Sequence, residues 1–441
     1  MARRKSVPGM APRRAALKAL TQVRDGRPFD AALTAAVPRL PDPDRRLVHE
    51  LAAGVLRHQS ELDAVLSPLV PRGWKAVDPA LQDVLRIGAF QLLRLDRVPS
   101  HAAVSTTVEL ARESSGARAS GFVNAVLRKV SAGPGLFADT ESAPIDATNA
   151  ADLAARHSHP EWLVARWLDR FGADDTARLL LWNNRVPTLV LQPARQDIEA
   201  LEQRWREAGV KVSPAPFGAG LVTDRTRPDE LPGFVEGAFY VQDPAQALVT
   251  WFADFTPGTT VLDLCAAPGG KALALGRDAG MLAALERHRR RAERLVDNLR
   301  RAGSGREHAV IGDALAPPFR TQDAVLLDAP CLGTGTFARH PDARWRVSEE
   351  ALHELAARQA QLLDAAARLV TPGGLLVYAT CSLEPEENQA QVAAFLERHG
   401  AFRREPSDVP PTLLDPDGDL VLLPHRHGTD GGFAARLRHQ A

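Results

Sequence analysis

Only three cysteines occur in the 441 residues, Cys265, Cys331 and Cys381. An odd, sparse set makes no disulfide framework and points to a reducing compartment. There is no CxxC pair and no His/Cys cluster offering four ligands at zinc spacing, so no metal is expected. No apolar run approaches the ~20 residues that span a bilayer. Nor does an unbroken apolar core follow the basic start of the chain, as a secretory signal requires. The expectation is a soluble, cytoplasmic protein with no membrane partner. Excess charge is missing as well: 54 basic and 54 acidic side chains cancel. Any contact with nucleic acid must therefore come from a local patch. No internal repeat is visible.

What is present suggests two or three domains, given the length and the 45% apolar and 24% charged residues. The first 27 residues set Arg3, Arg4, Lys5, Arg13, Arg14, Lys18, Arg24 and Arg27 against a single acid, Asp25. Such a run is either a solvated helix face or an arm for an RNA backbone. From about Ala11 to Val130 apolar residues return every three or four positions, as in LVHELAAGVLRHQSELDAVL, LQDVLRIGAFQLLRL and AVSTTVELAR. That spacing predicts helices, punctuated by Pro41, Pro71 and Pro99. Residues 131–146, rich in Gly, Pro, Ser and acids, read as a linker. Two helices are expected in PEWLVARWLDRFG and TARLLLWNN, then a strand in TLVLQP, a helix in DIEALEQRWREAG and a strand near GLVTD. These form a small α/β subdomain ending near Gly237. From Thr259 strands and helices alternate, with strands in TTVLDLCA, MLAALE, HAVIGDA, DAVLLDAP and GLLVYATCS. Five short apolar strands separated by helices indicate an open parallel sheet covered on both faces. An antiparallel pair in DLVLLPHR and GGFAARLR closes it.

Between the first of these strands and its helix lies the loop Cys265-Ala266-Ala267-Pro268-Gly269-Gly270-Lys271. Ligands of such sheets bind at the carboxyl ends of the strands, beside the point where strand order reverses. Glycine lets the backbone turn tightly and come close to a ligand. The loop lacks both the G-x-G-x-x-G of dinucleotide sites and the spacing of a Walker A loop. A mononucleoside-like ligand without pyrophosphate is favoured, with its carboxylate toward the N–H groups that open the following helix. Glu286, at the end of the second strand, is placed to accept from ribose hydroxyls. Asp313, after the third, suits an adenine amino group, and Asp328, after the fourth, a sulfonium or a target base.

Cys331 and Cys381 each follow a strand end, and in a parallel sheet those ends share one edge. A free cysteine is ordinarily a small buried hydrophobe. Paired placement beside acids and a glycine turn instead suggests two thiols converging on one substrate. Cytosine C5 is too weak a nucleophile to take a sulfonium methyl unaided, and a thiolate adding at C6 activates it. Asp328, near N3, and Lys271 are placed to stabilise the activated ring. The base must leave its stack to reach such a pocket, most cheaply from unpaired RNA.

At these residues a resemblance becomes specific. VLDLCAAPGGK, LLDAPCLGTGTFARHPDARW and LLVYATCSLEPEEN resemble the core motifs of bacterial RNA cytosine-5 methyltransferases, of the RsmB/Fmu/Sun type within the NOL1/NOP2/NSUN family. The resemblance extends over nearly the whole chain, through RRLVHELAAGVLRH, Pro99–Val104, GFVNAVLRKV and HPEWLVARWLDRFG. It implies a multidomain chain: an all-α NusB-like domain at 1–135, a helical connection with a small RRM-like subdomain at 147–237, and a class I (Rossmann-like) methyltransferase domain at 238–441. It further implies S-adenosylmethionine as cofactor, with S-adenosylhomocysteine as product, bound by residues 265–271, Glu286, Asp313 and Asp328. Cys381 is implied as nucleophile and Cys331 as the residue assisting product release. The implied partner is 16S rRNA, unassembled or partly assembled, with no obligate protein partner. Departures from the pattern are Glu286 where aspartate is usual, Leu332-Gly333 where Ser-Ala is frequent, and the strand TLVLQPAR, which lacks the usual arginine and asparagine. A tRNA cytosine-5 methyltransferase and a non-catalytic NusB-like RNA-binding protein are the alternatives.

Overall fold

The computed structural model describes residues 8–38, 40–133, 146–225 and 227–441. Arg3, Arg4 and Lys5 of the basic start, and all but the ends of the 131–146 linker, lie outside them. The chain forms two compact units. The first is Met1–Arg185 together with Phe337–Arg346; the second is Val186–Thr336 with Val347–Ala441. The division after Arg185 falls inside the 147–237 region.

The first unit is helical: α1 (Met10–Arg24), α2 (Phe29–Ala36), α3 (Asp42–Arg57), α4 (Gln59–Leu66), α5 (Pro79–Arg94), α6 (Ser100–Ser115), α7 (Ala117–Ala132), α8 (Ala150–His157) and α9 (Glu161–Asn183). Asp78 caps α5 by accepting the N–H of Ala80 at 2.9 Å, ahead of Pro79 in the first turn. The run LVHELAAGVLRHQSELDAVL divides at His58, whose backbone leaves the helical region (φ −113°, ψ 20°), so it forms α3 and α4. A break at Gly172 (φ 76°) divides α9 into the two helical stretches expected there. Ala16, Leu20, Leu51, Leu62, Val84, Ile87 and Leu127 build the core. Part of the basic start serves this unit internally. Arg13 is buried and donates to Gln91 Oε1 at 2.9 Å and Gly9 O at 2.7 Å. Arg14 pairs with Glu113 at 2.6 Å, and Arg24 pairs with Asp83.

Ten residues from far along the chain complete this unit. Arg344 is fully buried, its guanidinium donating to Asn184 Oδ1 at 2.6 Å, Asn183 O at 2.8 Å and Ser158 O at 3.2 Å. Trp345 Nε1 donates to Leu56 O at 2.9 Å, and Arg57 Nη2 donates to Ala338 O at 3.0 Å. The Phe29 N–H donates to Asp342 Oδ2 at 3.1 Å, and the Phe337 ring lies 6.3 Å from that of Trp167.

The second unit holds two sheets. In the smaller one, β1 (Leu189–Pro193), β2 (Val212–Pro214), β3 (Leu221–Thr223) and β4 (Phe239–Val241) run in the order β2-β3-β1-β4, with antiparallel neighbours. The amphipathic helix α10 (Ile198–Glu207) buries Leu201 and Trp205, and the Trp205 ring meets Phe239 edge-on at 5.0 Å. β2 and β4 went unrecognised in the sequence because three residues show no alternation.

The larger sheet follows the helix α11 (Pro244–Ala253). Its elements are β5 (Thr260–Asp263), α12 (Gly270–Gly276), β6 (Met281–Glu286), α13 (Arg289–Ala302), β7 (Glu307–Ile311), β8 (Gln322–Asp328), α14 (Glu349–Ala367), β9 (Val370–Thr380), α15 (Gln389–Arg398), β10 (Phe402–Arg404), β11 (Leu420–Leu422), the turn α16 (Pro424–His427) and β12 (Gly432–His439). The strand order is β10-β12-β9-β8-β5-β6-β7, with β11 paired to β12. β5 to β9 are parallel, and β12 inserts antiparallel beside β9. Alternate residues serve opposite faces. Leu262, Val325, Leu327, Leu376 and Tyr378 enter one core, while Leu326, Leu375 and Val377 enter another. The five parallel strands and the β11–β12 pair match the sequence reading; β10 was not expected.

Candidate active site

The strand order reverses at β5, which has β6 on one side and β8 on the other. The carboxyl ends of these parallel strands open on one edge, where the loop from Cys265 to Lys271 begins. Gly269 has φ 109°, a backbone conformation L side chains rarely adopt, and a Cβ there would meet Leu295 Cδ1 at 2.9 Å. The loop is braced from α13: Arg291 Nη2 donates to Ala267 O at 2.8 Å, and Asn298 Nδ2 to Pro268 O at 2.9 Å. Ala266 donates its N–H to Leu285 O at 2.9 Å, tying the loop to β6. Gly270 opens α12, and the Lys271 ammonium donates to Asp328 Oδ2 at 2.7 Å and to Gln246 Oε1. Burial, then the charge of Asp263, pushes the Cys265 thiol far up, so this cysteine lines the loop as a neutral group.

Glu286 is buried at the end of β6, accepting the His288 N–H at 2.7 Å and facing Arg291 at 3.3 Å. Asp313 lies two residues past β7, accepts the Leu315 N–H at 3.0 Å and faces Arg287 at 3.6 Å. Arg287 and Arg291 thus sit against acids at these strand ends. One residue escaped the sequence reading. Asp263 ends β5 and is fully buried, with the backbone of Cys265 beside its carboxyl and no side chain donating to it among the described residues. Burial, reinforced by the charge of Asp328, pushes its pKa up to about 7. The signal was available as an acid inside the apolar run VLDLC.

The two cysteines meet. Cys331 Sγ lies 3.4 Å from Cys381 Sγ, the first just past β8 and the second just past its neighbour β9. Their loops are tied together. The Gly335 N–H donates to Cys381 O at 3.0 Å, and the Leu383 N–H donates to Thr334 Oγ1 at 2.8 Å. Ala329 N–H donates to Ala379 O at 2.8 Å. Gly335 touches Gly431 so closely that a Cβ would lie 2.6 Å from the Gly431 Cα. The hydrogen bond with Cys381, together with burial, pushes the Cys331 thiol well up. Either sulfur can be the donor of the pair.

The edge suits a ligand with a cationic centre and vicinal hydroxyls. The buried carboxyls of Asp263 and Glu286, Asp328 and the tight glycine turn at Gly269 lie together at these strand ends. Parallel strands reversing at β5, with one antiparallel strand inserted next to the far edge, and this acidic rim together define a class I S-adenosylmethionine-dependent methyltransferase. A family model described as 16S rRNA methyltransferase RsmB/F matches residues 251–438, and one described as NusB family matches residues 10–132. The chain is 34% identical to the probable ribosomal RNA small subunit methyltransferase B of Synechocystis sp., covering 93% of this chain and 95% of that protein. It is also 34% identical to the ribosomal RNA small subunit methyltransferase B of Vibrio cholerae, covering 97% of each. The crystal structure of PH0851 superposes with a TM-score of 0.81 at 28% identity, over 99% of this chain and 100% of that one. The chain belongs to the RsmB/Fmu-type family of bacterial 16S rRNA (cytosine-5) methyltransferases with an N-terminal NusB-like domain. Among the described residues no helix is long and apolar enough to cross a membrane, and no group of three or more His, Cys, Asp or Glu is placed to hold a metal ion.

Proposed function

We propose that this enzyme methylates C5 of one cytidine in 16S rRNA through a covalent bond between Cys381 and C6, with Cys331 assisting product release. The observation that carries the reading is the 3.4 Å approach of the two thiols at neighbouring strand ends, on the edge that holds the cofactor loop. The 265–271 loop, Glu286, Asp313 and Asp328 would hold S-adenosylmethionine, with Glu286 toward the ribose and Asp313 toward the adenine. When bound, that cofactor supplies an electrophilic methyl group.

Cys381 adds as thiolate to C6, and the displaced electron pair makes C5 nucleophilic. The Lys271 ammonium, paired with Asp328, stabilises the negative charge that develops on the ring as C6 is attacked. Once C5 carries the methyl, its proton leaves to a base, the C5–C6 double bond reforms and Cys381 departs as thiolate. Cys331, hydrogen-bonded to Cys381, assists this last step. The target base must be unstacked to enter, which favours unassembled or partly assembled RNA over a closed duplex.

The test supplies the protein with methyl-labelled cofactor and bacterial 16S rRNA, naked and as a small-subunit particle, with tRNA in parallel. A single 5-methylcytidine in 16S rRNA is expected. Cofactor binding with no 5-methylcytidine in any RNA would overturn the reading, and modification of tRNA alone would replace its substrate.

A further inference from the structure

Cys331 is gripped on both sides by two side chains given no role so far, Gln359 and, near the end of the LLVYATCSLEPEEN motif, Glu387. The carbonyl of Pro330, the residue before it, accepts from Gln359 Nε2 at 2.9 Å. The N–H of Leu332, the residue after it, donates to Glu387 Oε1 at 3.0 Å and Oε2 at 3.3 Å. The two grips are joined, since Gln359 Nε2 also donates to Glu387 Oε1 at 2.9 Å. Both side chains are fully buried. They come from separate elements: Gln359 from the middle of α14, and Glu387 from the turn Pro385–Glu387 beyond β9. That turn is itself anchored, because Tyr378 Oη donates to the Glu387 carbonyl at 2.6 Å.

A buried carboxylate is costly unless it is hydrogen-bonded, and hydrogen bonds to a charged acceptor are about twice as strong as neutral ones. The loop of Cys381 is held by other groups: Asn388 Nδ2 donates to Ser382 O at 2.9 Å, and the Leu383 N–H donates to Thr334 Oγ1 at 2.8 Å. We infer that Glu387 and Gln359 are positioning residues: they clamp the Pro330–Leu332 peptide and so fix the Cys331 sulfur against that of Cys381 for product release. This rests on the release role proposed above for Cys331. Neither side chain touches the reacting atoms. Their effect passes through the peptide that carries the thiol, and a misplacement of about 1 Å at a reacting group can lower a rate by about 10²-fold.

The experiment compares E387A, Q359A, E387Q and C331A with the unaltered protein on bacterial 16S rRNA. It measures steady-state methylation, covalent RNA–protein adduct on denaturing gels, S-adenosylmethionine affinity and melting temperature. E387A and Q359A should turn over about 10- to 100-fold more slowly, accumulate adduct as C331A does, and bind cofactor normally. E387Q keeps an oxygen for the Leu332 N–H and should recover most of the rate; a merely structural carboxylate would not give this split. Adduct and turnover at the unaltered level in both E387A and Q359A would overturn the clamp. If C331A itself accumulates no adduct, the release role fails instead. The clamp is then decided by the rate at which iodoacetamide alkylates Cys331 in Q359A, which keeps the Glu387 charge. Faster alkylation supports the clamp, and an unchanged rate overturns it. Should E387A fail to fold, Q359A and E387Q carry the same decision.

Discussion

The two ends of the catalytic edge are built on opposite principles. At the end proposed for the cofactor acids outnumber cations: no side chain donates to Asp263 among the described residues, and Asp328 leans on the ammonium of Lys271. At the thiol end the polar groups of the loops answer one another, through Gly335 with Cys381, Thr334 with Leu383, and Glu387 with Leu332. The end with the acids keeps an excess of carboxylates over cations. The end with the two sulfurs is cross-tied by hydrogen bonds, with Gln359 Oε1 left over among the described residues. Organising the reacting groups before the substrate arrives avoids reorganisation during the reaction.

The largest effect should come from removing the nucleophile at the thiol end. C381A should lower methyl transfer by about 10⁴-fold or more, as loss of a nucleophile does in other enzymes, while melting temperature and cofactor binding hold. Residual transfer close to normal would break the assignment. Next, K271M leaves Asp328 without its cation. A fall in kcat of about 10²–10³-fold is expected, the scale of losing one preorganised electrostatic group, read by single-turnover methylation at saturating cofactor. D263N tests the excess of carboxylates directly and should weaken cofactor binding about tenfold, equivalent to about 1.4 kcal/mol, by calorimetry.

The same carboxyl sets a pH dependence. Its folded pKa of about 7 lies above the ordinary 3.8. The folded protein therefore holds a proton that the unfolded chain releases between about pH 4 and 7, and stability falls as pH rises through that window. Affinity for the cationic cofactor should rise as Asp263 ionises near pH 7, and both trends should flatten in D263N. The smallest effect belongs to R14A, which removes an exposed pair with Glu113 within the helical unit. A loss below about 1 kcal/mol is expected by denaturant unfolding, and a larger one would undercut the contrast with the buried groups.

Much of this contrast was legible before any coordinates, because strand ends are where a parallel sheet places its chemistry. Glu286, Asp328, Cys331 and Cys381 each announce themselves by following an apolar strand. Asp263 was passed over because it reads as part of the strand VLDL, and only its full burial with no side-chain donor among the described residues singles it out. Gln359 gave no local signal, and Glu387 gave none beyond its place in the LLVYATCSLEPEEN motif. One sits in a polar turn and the other at mid-helix, and they meet only through tertiary packing. Arg13 shows the opposite failure, a basic residue that local composition offers to RNA and the helical core claims for Gln91. β10, like β2 and β4, is a three-residue strand recognisable by its neighbours and not by its own pattern.

The segment Phe337–Arg346 carries a lesson for anyone who would dissect this chain. It begins six residues after Cys331, yet its arginine, indole and phenyl groups belong with the helices. Cutting the gene at residue 185 would strand Arg344 without the carbonyls of Ser158 and Asn183, and Trp345 without that of Leu56. Losing the partners of a buried charge costs roughly 3–5 kcal/mol. The front of the polypeptide is thus no detachable accessory: a clean excision would leave a raw, sticky stump a few peptide bonds from the reactive sulfurs.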